Sequence, residues 1–182
     1  MPHQTERMNR MKLGFVSAIL GELSFEEMID FASENGFECV EVCCWPKGKA
    51  ERRYAGVTHI NVDEVDEAKA AYIKDYCAKK GVEISALAYY PNTMDPDLEK
   101  RAVYINHIKK LIKAAKLLGI ATVNTFVGRD PHKNVDENLE IFKEVWPPIV
   151  QFAEENGIRI GIENCPMLFS NDEWPGGQNL MT

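Results

Sequence analysis

Ala153-Glu-Glu-Asn-Gly-Ile-Arg-Ile-Gly-Ile-Glu163 closes a helical stretch at Gly157 and runs at once into an alternating apolar strand. The same junction occurs three times upstream, at Asn35-Gly36-Phe37, Lys80-Gly81-Val82 and Leu118-Gly119-Ile120. A glycine at that place suits the left-handed cap of a helix, because it has no β-carbon to clash. The four glycines fall 45, 38 and 38 residues apart. With a strand near the start of the chain, the pattern predicts five strands and four helices in strict alternation.

The expected strands are Lys12–Ile19, Cys39–Trp45, Glu83–Tyr90, Thr122–Val127 and Arg159–Glu163. On the second, the two-residue period turns Val40 and Val42 toward the helices and Glu41, Cys43 and Trp45 inward. Ser24 with Glu27 forms a capping box for the first helix. Asn61 with Glu64 is expected to open the second, Asp95-Pro96 the third, and Asn134 with Glu137 the fourth. The third helix carries Leu98, Ile105, Ile108, Leu111, Ile112 and Ala115 as its apolar stripe. Pro147-Pro148 should kink or split the fourth. Residues 1–11 read as a flexible leader.

Alternating strands and helices imply parallel pairing through right-handed crossovers. No strand is followed by a G-x-G-x-x-G or a G-x-x-x-x-G-K-[ST] motif, which argues against a nucleotide-binding open sheet. The even period favours a (β/α)8 barrel, of which residues 12–182 would be the N-terminal part. At 182 residues the chain supplies five strands of the eight.

The formal charge of −7 argues against a nucleic-acid partner. No apolar run is long enough for a membrane span. The five cysteines include no metal-type pair, and reduced thiols in a cytoplasmic protein are expected.

In a barrel the chemistry sits at the C-terminal ends of the strands. Those ends hold Cys43 and Trp45 with Glu41 deeper, then Tyr89, Tyr90 and Asn92, then Thr125, Gly128 and Arg129, and finally Glu163 and Asn164. Glu163 is the sharpest of these. A carboxylate facing a barrel mouth must be solvated, paired or metal-bound; pairing with Arg129 is its structural alternative. His59, in the loop before the second helix, either reaches the site or stabilises the helix start. His107 is expected on the outer face of the third helix. His132 lies in a loop and His3 in the leader. Trp45 and the Tyr89-Tyr90 pair either stack on a sugar face or fill the barrel.

Five segments together resemble the sugar phosphate isomerase/epimerase family, the xylose isomerase-like barrels. They are Tyr54-Ala-Gly-Val-Thr-His-Ile60, Ala88-Tyr-Tyr-Pro-Asn92, Thr125-Phe-Val-Gly-Arg-Asp130, Gly161-Ile-Glu-Asn-Cys-Pro-Met167 and Trp174-Pro-Gly-Gly177. The resemblance covers nearly everything from Met11 onward. It implies that Glu163 is both a metal ligand and one of two carboxylates that move a proton beside a carbonyl. The implied metal is Mn, Mg, Co or Zn, and the implied substrate a small sugar, sugar phosphate or polyol. Trp45, His59, Tyr90, Asn92, Thr125 and Asn164 would shape the substrate pocket. The Asp, His and second Glu that the family places on strands six to eight have no counterpart here. The chain is therefore expected to be a truncated member, inactive by itself. A half-barrel that associates with itself or with a missing C-terminal half through its open edges is the alternative.

Overall fold

The computed structural model describes residues 11–48 and 55–164. Five parallel strands form one sheet: β1 (Gly14–Val16), β2 (Cys39–Cys43), β3 (Glu83–Ala88), β4 (Thr122–Thr125) and β5 (Arg159–Ile162). Their spatial order is β1-β2-β3-β4-β5. Every strand lies beside its chain neighbour and the order never reverses, as in a barrel wall; a doubly wound sheet has a switch point. The helices are α1 (Phe25–Glu34), α2 (Glu67–Lys80), α3 (Leu98–Leu118) and α4 (Val135–Glu155). Sequential right-handed crossovers place them on one face of the sheet. The core lies between, built on Met28, Ile29, Val40, Val42, Ile73, Leu87, Ile108, Leu111, Ile112, Val123 and Ile149. This is the partial barrel of five strands and four helices that the alternation predicts.

The junction glycines behave as their positions require: Gly36, Gly81, Gly119 and Gly157 have φ of 75°, 69°, 71° and 71°. The capping boxes at Ser24/Glu27 and Asn134/Glu137 are both closed.

Several boundaries differ from the sequence expectation. β1 ends at Val16, and Ser17–Leu20 turn into a 3-10 helix. The cause is a contact across the sheet: the Cys43 N–H donates to the Ser17 side chain at 2.9 Å, so a hydroxyl replaces backbone as its partner. Asn61 caps only a 3-10 turn, Val62–Glu64. Val65 is extended, and α2 starts behind Asp66, which accepts from Lys69 N at 2.7 Å. α3 likewise starts behind Asp97, which accepts from Glu99 N and Lys100 N, so Pro96 precedes the helix. Leu98, placed in the stripe, is 67% exposed at the first helical position. α4 runs through Pro147 and Pro148 as a single helix, with Val145, Trp146, Ile149 and Ala153 buried on either side of them.

Two side chains belong to the helical layer against expectation. His107 is 5% exposed. It shares the face of Leu111, Ala114 and Leu118, bonds the Cys44 carbonyl through Nε2 at 2.8 Å, and packs on Tyr89 at 4.6 Å between ring centroids. Trp45 meets the same Tyr89 edge-on at 4.9 Å. The inward alternation of the second strand stops at Cys43, because Cys44 already pairs with Thr58 in an antiparallel bridge.

Candidate functional site

The inner face of the sheet opens at its C-terminal end into a cavity of ≈250 Å³ lined by Val16, Glu41, Tyr90, Asn124, Gly161, Ile162 and Glu163. Glu163 is placed there by backbone pairing: its N–H donates to the Thr125 carbonyl at 3.0 Å, one residue past the end of β5. The residue itself is exposed.

Below it lies a polar chain built from β2, the end of β3 and β4. The Tyr90 hydroxyl donates to Glu41 Oε1. Glu41 Oε2 accepts from Asn124 Nδ2 at 2.5 Å. Asn124 lies flat across β5 because residue 161 is glycine; a β-carbon there would stand 2.2 Å from Asn124 Oδ1. The Tyr90 ring rests on Phe126 at 4.8 Å. Burial, above all, keeps the Tyr90 phenol protonated, followed by the charge and hydrogen bond of Glu41 and then those of Glu163. Tyr90 is thus a donor wedged between two carboxylates.

Cys43 is buried beside this chain, and burial pushes its thiol up to about 11. It stays a thiol at neutral pH and is no nucleophile. His59, 8% exposed, is locked from both ring nitrogens. Nε2 faces the Leu20 carbonyl at 3.2 Å, an acceptor, so Nε2 carries the proton. Nδ1 then accepts from the Ser17 hydroxyl at 3.0 Å. Burial lowers the pKa of His59, and the ring is neutral.

Other expected site residues work in the frame of the mouth. Asn92, 6% exposed, clamps two loops together: Nδ2 donates to Arg129 O and Oδ1 accepts from Arg129 N, both at 2.8 Å. Gly128 passes so close, at φ 81°, that a β-carbon would meet Asn92 Oδ1 at 2.4 Å. Thr125 is fully buried. Asn164 is exposed beside Glu163. Among the described residues Arg129 Nε is buried without a hydrogen-bond partner.

The structure therefore gathers Tyr90 and Glu163 around one cavity and leaves Trp45, His59, Asn92 and Thr125 in supporting positions. Glu41 and Asn124 complete the cavity. The inward phase of Glu41 is legible in the sequence, but its partnership with Asn124, 83 residues away, is not.

Among the described residues no three His, Cys, Asp or Glu side chains group so as to hold a metal ion. Of the two carboxylates at the cavity, Glu41 is committed to Tyr90 through one oxygen and to Asn124 through the other. This donor set does not by itself make a cage for a divalent cation. The segments Cys165-Pro-Met167 and Trp174-Pro-Gly-Gly177 and residue Tyr54 lie outside the described residues.

The sequence profile described as the xylose isomerase-like TIM barrel matches residues 29–178. A protein of Bacillus subtilis, YfiH, is 26% identical over 145 residues, which cover 78% of this chain and 44% of that protein. Among solved structures, a putative xylose isomerase from Rhodospirillum rubrum aligns with TM-score 0.64 and 16% identity, over 87% of this chain and 55% of that one. D-psicose 3-epimerase from Clostridium cellulolyticum aligns with TM-score 0.63 and 15% identity, over 88% and 55%. The IolI protein with a bound zinc atom aligns with TM-score 0.61 and 16% identity, over 84% and 51%. The chain spans about half the length of the proteins it matches.

Proposed function

Because the chain belongs to the xylose isomerase-like TIM barrel family, we propose that it serves the isomerisation or epimerisation of a small sugar, sugar phosphate or polyol by proton transfer next to a carbonyl. One observation carries this reading. The Glu163 carboxylate stands at the C-terminal end of β5, over a polar cavity on the inner face of a sheet with barrel order. A carboxylate held there can take a proton from the carbon beside a bound carbonyl. The second N–H of the Asn124 amide supplies a donor, and the Glu41 carboxylate an acceptor, for the hydroxyls of such a ligand.

Metal dependence is part of the proposal. Glu163 would supply one oxygen ligand to a divalent ion, which would contribute Lewis-acid chemistry beside the carbonyl. Reduced thiols at Cys39, Cys43, Cys44 and Cys77 go with a cytoplasmic setting.

The test is exchange of solvent deuterium into a panel of ketoses and aldoses with added Mn. It uses the purified chain and the chain mixed with the second half of a solved relative. Exchange that disappears in Glu163→Gln supports the reading; no exchange on any sugar in either preparation overturns it.

A half-barrel that associates through its edges is the second reading. It is favoured by exposed apolar side chains at both end strands: Leu13 at 66%, Val16 at 39% and Ile162 at 41%. Light scattering after size exclusion addresses it, and a monomer at all concentrations rejects it.

A further inference from the structure

We infer that Tyr90, braced by Glu41 and Asn124, is a positioning residue that fixes the Glu163 carboxylate in the mouth. This rests on the proposed role of Glu163 as the proton-moving group. Three features of the packing carry it. The phenol donates to Glu41 Oε1 and lines one cavity with both Glu41 and Glu163, carboxylates carried by β2 and by the residue that follows β5. Its ring is pinned at 4.8 Å from Phe126, so the hydroxyl has little freedom to leave. The brace extends to Asn124 on β4, whose place against β5 exists only because residue 161 has no side chain.

A phenol has one proton for two acceptors. What happens at Glu41 is therefore felt at Glu163, across the sheet, through Tyr90. A tyrosine that merely filled the barrel would need no hydroxyl. Groups that orient a reacting carboxylate act on turnover while leaving ligand affinity alone.

The experiment uses the full chain labelled with carbon-13 at tyrosine Cζ and glutamate Cδ, observed by NMR at one fixed pH. Tyr90→Phe should displace the Glu163 Cδ resonance, Glu163→Gln the Tyr90 Cζ resonance, and Glu41→Gln both. An unmoved Tyr90 signal in Glu163→Gln, or an unmoved Glu163 signal in Tyr90→Phe, overturns the inference. If Tyr90→Phe fails to fold, the two glutamine variants alone decide. In the deuterium-exchange assay, Tyr90→Phe should lower kcat with KM unchanged. Coupled resonances without turnover support the positioning and reject only the proposed function. Turnover without coupling rejects only the positioning.

Discussion

Asn124 and Gly161 sit side by side on β4 and β5, and a β-carbon on residue 161 would come within 2.2 Å of Asn124 Oδ1. That distance is far inside van der Waals contact, so the amide can occupy its place only opposite a glycine.

Gly161→Ala should therefore displace Asn124 and break its 2.5 Å bond to Glu41. The expected loss of stability is ~1–3 kcal/mol, the usual range for overpacking. Urea unfolding measures it. In the same variant the Glu41 carboxyl signal should move.

Asn92→Ala removes the clamp on Arg129 N and Arg129 O. Leaving those backbone groups unpaired at a buried site should cost about 1–3 kcal/mol. A stability loss with unchanged sugar binding would mark Asn92 as framework. Unchanged stability with weakened binding would place it on the ligand instead.

Glu163→Gln should lower exchange turnover by ~10²–10⁴, the range for removal of a general base. The residue is exposed, so stability should change by less than about 0.5 kcal/mol. Thermal unfolding and the exchange assay, run together, separate the two effects.

His59 and His107 both have pKa values lowered from 6.5, chiefly by burial. The unfolded chain takes up protons first as pH falls, so stability is full above about 6.5 and declines below it. Asp63 opposes and Lys110 adds to the shift at His107. His107→Gln keeps a donor for the Cys44 carbonyl but does not titrate. Its stability should fall less between pH 7.5 and 5.5 than that of the wild type, by denaturant unfolding at each pH.

The alternation of strands and helices was legible because its marks are local. Gly81 and Gly119 sit at helix ends in the left-handed region, and Ser24 and Asn134 carry their partners three residues on. The errors arise where distant atoms decide. β1 is shortened by a hydroxyl bond from Ser17 to a strand 26 residues away, and His107 is buried by a carbonyl 63 residues away. Competing caps explain the helix starts, since Asn61 and Asp66 both carry capping side chains and only Asp66 begins an α-helix. Glu163 stood out by its place at a strand end. Glu41 did not, because a mid-strand carboxylate becomes informative only once Asn124 and Tyr90 are seen to hold it.

The unbroken β1-to-β5 order has a bearing on how the protein is made. Each new strand finds its ladder partner in the strand synthesised just before it, so no pairing waits for a distant segment. During translation the emerging chain can add one strand and one helix at a time to a template already in place. Assembly of this wall can thus keep step with the ribosome, and at each stage the β1 edge and one growing edge remain for a chaperone to shield.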